Sequence, residues 1–187
     1  MKKVSIIVII CLVLSVSIIL MSNIDKLKQT EENILTTENK ITEVVNNQII
    51  EVFYADKDIF ERTSELMQDC RGNSVIVSYD RKNGALLSSI DNEIISIDNL
   101  FDESAQELIL SCFAEMSKVS AEEVNLVISK LSLEVNNSVN SESINFMFRA
   151  KSDSEYADYG ITFCRDIGDS NYKKIEENWY WFEFGLV

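Results

Sequence analysis

Leu131-Ser-Leu-Glu-Val135, Ile144-Asn-Phe-Met-Phe-Arg149, Tyr159-Gly-Ile-Thr-Phe-Cys164 and Asn178-Trp-Tyr-Trp-Phe-Glu-Phe184 follow one another in the C-terminal third of the chain. In the first three, apolar residues return at every second position. That is the period of a strand with one face on a core. In the fourth, aromatic residues occupy both parities, as in a central strand or one covered by helices. The segments between them, 136–142, 152–158 and 166–174, are polar. Four strands joined by polar tips predict an antiparallel meander.

Upstream of these strands the period is helical. Asp56 or Asp58 caps a helix whose apolar face is Ile59, Phe60, Thr63, Leu66 and Met67, and which stops near Gly72. Ser104-Ala-Gln-Glu107 fits a capping box for a further helix carrying Leu108, Ile109, Cys112, Phe113 and Met116. Ser120-Ala-Glu-Glu123 is a second box of the same kind. Between the two helices, Val75, Val77 and Tyr79 alternate as a short strand. Asn83-Gly84 is a strong turn signal, and residues 85–90 and 94–97 read as further short strands.

The N-terminus reads differently. Lys2 and Lys3 precede an uncharged run, Val4 to Met21, long enough for ~27 Å of helix. An uncleaved signal anchor uses the whole run. Cleavage after Ser17 is the competing reading, with Ser15 and Ser17 as the small residues. Lysines ahead of the run keep the short tail in the cytoplasm and place everything after it outside.

Residues 22–53 contain neither Gly nor Pro, and their apolar residues recur at helical spacing from Ile24 to Phe53. The stripe widens through Val44, Val45, Ile49, Ile50 and Phe53, as in a stalk whose far half docks on a core. A self-associating coiled coil is the alternative. One heptad track holds Leu27, Ile34 and Ile41, while Glu31 and Glu38 interrupt the other.

The expected fold class is thus α+β: an N-terminal transmembrane helix and a long amphipathic helix, then helices packed on one face of an antiparallel β-meander. The expected divisions are a cytoplasmic tail (1–3), a transmembrane anchor (4–21), a juxtamembrane amphipathic helix (22–53) and an extracytoplasmic domain (54–187).

Composition limits the chemistry. The 187-residue chain has no His, which removes Ser-His-Asp, Cys-His and His-ligated metal chemistry. It has 17 basic residues against 31 acidic, a formal charge of −14, which disfavours nucleic acid. Its five Gly form no phosphate-binding loop.

Cys70, Cys112 and Cys164 follow the apolar run. Small buried residues and a single disulfide are both open readings for them, and no spacing suits zinc. Asp153, Glu155 and Asp158 share one expected hairpin tip, and Asp166 and Asp169 another. Neither fits a calcium loop. Glu61 and Glu65, flanking Arg62, read as a solvated helix face. Trp179 and Trp181, on the densest aromatic run, are the candidate partner surface, with the core of the sheet as the rival role.

No catalytic, metal or cofactor residues are expected, and the chain is read as a non-enzyme. It is expected to be a membrane-anchored extracytoplasmic binding or scaffold domain of a bacterial envelope. Its partners are the lipid bilayer, through 4–21, and another envelope protein, with no nucleic acid. The layout of short tail, single span, helices and meander resembles that of secretion-channel components and of pilin-like subunits. That resemblance implies the alternative of a subunit in an envelope-spanning assembly. No processing glycine precedes the apolar run, and no residues are carried over. A secreted hydrolase using carboxylates alone is the third reading.

Overall fold

The computed structural model describes residues 40–80, 83–120, 122, 127–138, 141–152, 155–165 and 171–184, together with Lys26, Lys28, Gln29 and Thr36. The expected anchor, 4–21, lies outside the described residues, as do the expected loop carboxylates Asp153, Asp166 and Asp169. Ala121 and Glu123 of the box at Ser120 lie outside them too. Among the described residues no helix is long and apolar enough to cross a membrane. The chain divides after Ile41. Before that point Lys26, Lys28, Gln29, Thr36, Lys40 and Ile41 all have helical backbone.

From Thr42 onward the chain is an α+β unit. Residues 42–55 form the helix α1, with Val45, Asn46, Ile49 and Phe53 buried along one stripe. At Asp56 the backbone leaves the helical region (φ −134°, ψ 39°), and α2, Lys57–Gln68, begins immediately. Its buried face is Phe60, Thr63, Ser64 and Met67, at the i, i+3, i+4, i+7 spacing of a one-sided helix. The third helix, α3, spans Glu103–Met116 and buries Ile109, Cys112, Phe113 and Met116.

The cap of α3 is displaced from the expected box. Asp102, not Ser104, is the N-cap: its Oδ1 accepts from Ala105 N at 2.8 Å. A carboxylate there satisfies an otherwise unpaired N–H and also faces the positive end of the helix dipole.

Eight strands form one antiparallel sheet: β1 Ser74–Asp80, β2 Ala85–Ile90, β3 Glu93–Ile95, β4 Val127–Ser138, β5 Ser141–Ser152, β6 Glu155–Cys164, β7 Tyr172–Glu176 and β8 Trp179–Phe184. Their spatial order is β3-β2-β1-β4-β5-β6-β8-β7. The β1–β2 turn uses Asn83-Gly84 as expected: Gly84 has φ +64°, and its N–H donates to Asp80 O. Asp91 and Asn92 take positive φ in the next hairpin. Asp91 Oδ1 there accepts from the backbone N–H of Asn73 and of Ser74, tying the end of the α2–β1 loop to the hairpin.

The sheet departs from the expected simple meander at one place. The segment 166–174 was expected to be loop, yet β7 begins at Tyr172 and forms the outer edge. The chain therefore passes from β6 to the edge and returns through β8, which pairs with both. The helical first half of the unit also shares this sheet, because β1 pairs with β4.

All three helices lie on the same side of it. Phe53 of α1 packs on Trp179 of β8, Phe60 of α2 on Phe146 of β5, and Phe113 of α3 on Tyr79 of β1. Residues paired across antiparallel strands share a face. The register therefore puts Val77, Leu133, Phe146, Ile161 and Trp181 on that face, in one row. The core sits between this row and its neighbours and the helices. Polar contacts tie the helices to their surroundings: Thr42 Oγ1 of α1 donates to Glu183 Oε1 at 2.6 Å, Gln48 Oε1 of α1 accepts from Ser120 N at 2.8 Å, and Lys57 of α2 pairs with Glu176 of β7.

Candidate functional site

The other face of the sheet is built by the same register. Its rows run across the strands. One row is Val127, Lys151 and Tyr156. The next is Lys130, Arg149, Asp158 and Phe184. The third is Leu87, Ser78, Ser132, Met147, Gly160, Phe182 and Tyr172. The fourth is Ile94, Ser89, Ile76, Glu134, Asn145, Thr162, Tyr180 and Lys174. No described helix packs here.

Seven large hydrophobic residues among the described ones are exposed: Tyr54, Leu87, Ile94, Leu110, Val127, Tyr156 and Phe184. Five of the seven stand on this face, since Tyr54 belongs to α1 and Leu110 to α3. Isolated exposed apolar residues are ordinary, but their concentration on one face is the mark of an interaction surface. Ile94 is 91% exposed on a three-residue edge strand.

The face has two apolar ends and a shallow polar middle. At the β8–β7 end, Phe182 lies between Tyr172 and Phe184, with ring centroids at 5.5 and 5.2 Å. Gly160 makes the seat for that ring. A Cβ there would stand 2.6 Å from Phe182 Cζ and 2.4 Å from the Phe146 carbonyl oxygen. At the β2–β3 end, Leu87, Ile94 and Ile76 are aliphatic. Between them lie Ser78, Ser89, Ser132, Thr162 and Asn145, of which Ser132, Thr162 and Asn145 are buried. Asn145 Oδ1 and Thr162 Oγ1, buried and directly opposite one another in the ladder, have no hydrogen-bond partner. Buried polar atoms without partners are uncommon and cost stability.

The electrostatics of the face contrast with the rest of the chain. Its strand residues include Lys130, Arg149, Lys151 and Lys174 against Asp80, Glu134 and Asp158. Arg149 is a two-pronged partner of Asp158, with Nε and Nη2 each 2.7 Å from a carboxylate oxygen. Lys151 Nζ lies 5.5 Å from the centre of the Tyr156 ring.

The residues singled out in the sequence fall elsewhere. Trp179 is 2% exposed, enclosed by Phe53, Phe146 and Phe163 on the helix-covered face. Trp181 shares that face and is half-buried beneath Lys173, whose Nζ is 4.6 Å from the ring centre. Cys112 and Cys164 are buried and Cys70 is half-buried, and none of the three is in a disulfide. Burial pushes the Cys112 thiol up to about 12 and the Cys70 thiol up to about 11. Asp158 is taken by Arg149, while Glu61 and Glu65 are exposed on α2. Among the described residues no three His, Cys, Asp or Glu side chains converge on a metal-sized site.

Leu87, Ile94, Val127 and Tyr156 were not singled out by sequence reasoning. Their signal is faint: each is one large apolar residue on the polar parity of its strand. No family model, no curated protein and no solved structure matches the chain.

Proposed function

We propose that the protein is a membrane-anchored extracytoplasmic binding or scaffold domain of a bacterial envelope. It holds a protein partner against the uncovered face of its sheet and performs no chemistry of its own. The observation that carries this reading is the placement, among the described residues, of five of the seven exposed large hydrophobic residues on the face opposite the helices. On β8 the surface lies on the reverse side from Trp179 and Trp181, at Tyr180 and Phe184, with Phe182 buried between Tyr172 and Phe184. Tyr, Phe, Met and Arg are the residue types enriched at such interfaces. The anchor is the uncharged run 4–21 behind Lys2 and Lys3, with the N-terminus inside and the domain outside.

Two measurements test the proposal. External protease on intact cells should remove a C-terminal tag, and a protected tag refutes the orientation. A photo-crosslinking residue placed at Leu87 or Phe184 should capture protein in living cells, while one at Leu110 on α3 should not. Equal capture from all three positions, or none from the first two, refutes the surface.

A further inference from the structure

We propose that Asn83 is a latent site of spontaneous deamidation, and that Asp80 guards it while the β1–β2 hairpin is closed. The inference is independent of what the sheet face binds.

The chemistry belongs to the Asn83-Gly84 pair. The backbone nitrogen of Gly84, once it has given its proton to solvent, can attack the side-chain amide carbon of Asn83. A bond forms between that nitrogen and Cγ, the Cγ–Nδ2 bond breaks, and ammonia leaves with a proton taken from water. Water then opens the resulting succinimide at either carbonyl, which yields aspartate or isoaspartate. A side chain on the residue after Asn obstructs this attack, and no other Asn of the chain precedes Gly. Asn83 and Gly84 are both exposed, and a Cβ at Gly84 would meet nothing within 4 Å. Sequence and exposure together leave the reaction open.

Contacts with Asp80 oppose it. The Gly84 N–H donates to Asp80 O at 2.8 Å, so removing its proton also breaks a hydrogen bond. Asn83 Nδ2 donates to Asp80 Oδ2 at 2.6 Å, and Asn83 N donates to Asp80 Oδ1 at 3.3 Å. These bonds hold the side-chain amide on the Asp80 carboxylate, so it is not free to turn onto the Gly84 nitrogen. The carboxylate also sets a negative charge beside a step that passes through an anion. All of these restraints are lost when the hairpin opens. Isoaspartate carries the backbone through its side-chain carbon and so lengthens the turn. The register from Asp80↔Ala85 to Ser78↔Leu87 runs from that turn, and the change would shift the strand that presents Leu87.

The test uses the full chain in detergent micelles, aged at mildly alkaline pH. Peptide mapping by mass spectrometry follows conversion at Asn83, and a denatured sample gives the unguarded rate. The folded chain should convert about tenfold or more slowly than the denatured one, because only its open fraction reacts freely. Asp80→Ala keeps the backbone carbonyl but loses the carboxylate. It should convert severalfold faster than the natural chain and still more slowly than the denatured one. Asp80→Asn, which retains a side-chain acceptor without the charge, should fall between the natural chain and Asp80→Ala. Hydrogen exchange at the Gly84 N–H separates guarding from loosening. Faster conversion with unchanged Gly84 exchange supports the role of the carboxylate. Conversion that rises only in step with Gly84 exchange overturns it, since the variant then merely opens the hairpin. A folded natural chain that converts as fast as the denatured one overturns the proposal. So does an Asp80→Ala chain that converts no faster than the natural one.

Discussion

The Phe53 ring on α1 and the Trp179 ring on β8 pack with centroids 4.8 Å apart and planes inclined at 50°. This contact joins the two ends of the folded unit. It continues through Phe60 at 5.7 Å from Phe53, and through Phe146 and Phe163 at 5.7 and 5.2 Å from Trp179. The entry helix and the last strand are thereby parts of one aromatic core. Tilted and edge-on pairs of this kind add to the stabilisation from burial alone.

Trp179→Ala should therefore cost about 3–5 kcal/mol, a large part of the ~5–15 kcal/mol that holds a domain folded. Trp181→Ala should cost about 1 kcal/mol, because that ring is half-buried and its defined partner is the Lys173 ammonium. Chemical denaturation of a fragment beginning near Asn23 measures both. Iodide should quench only the Trp181 component of the fluorescence. Equal destabilisation by the two substitutions would contradict the packing.

Gly160 is needed for the space it leaves. Gly160→Ala should destabilise by about 1–3 kcal/mol through overpacking against Phe182 and the Phe146 carbonyl. Adding Phe182→Ala should not restore stability, because the 2.4 Å clash with backbone remains. A double variant as stable as Phe182→Ala alone would show that the backbone relaxes.

Asp102→Ala should cost about 1 kcal/mol, the usual loss when an N-cap is removed. Ser104→Ala, one position into the exposed first turn, should change stability by a few tenths of that amount. Thermal melts of the two variants side by side decide which residue caps α3.

The buried Cys112 thiol gives an alkaline signature. Its folded-state value is raised to about 12 from an ordinary 9.0. The folded chain then holds a proton that the unfolded chain has lost, so stability is intact below pH 9 and falls as pH rises towards 12. Cys112→Ala should flatten that fall while lowering stability at neutral pH through the cavity it creates. An unchanged slope between pH 9 and 11 would rule out Cys112 as its source. In the folded protein at pH 8, Cys112 should resist iodoacetamide until denaturant is added.

Much of this architecture is local and can be read along the chain. A period of two marks β1, β4, β5 and β6, because successive side chains leave a strand on opposite sides. Asn83-Gly84 marks its turn because Gly84 must take positive φ. The one-sided stripes of α2 and α3 follow in the same way from 3.6 residues per turn. The edge strand β7 escaped notice because Lys173 and Lys174 break the apolar alternation, as suits a strand with a single neighbouring strand.

Other features belong to the tertiary structure alone. Trp179 and Trp181 have the same parity, yet only Trp179 lies in the row that Phe53 reaches. Periodicity assigns a residue to one side of a strand, but not the element that will cover that side. The exposure of Leu87, Ile94, Val127, Tyr156 and Phe184 arises because α1, α2 and α3 all settle on the opposite face, a choice made by long-range packing. Pairing β1 with β4 unites the two halves of the chain in one sheet. That pairing depends on the register of strands distant in sequence, which no local pattern encodes.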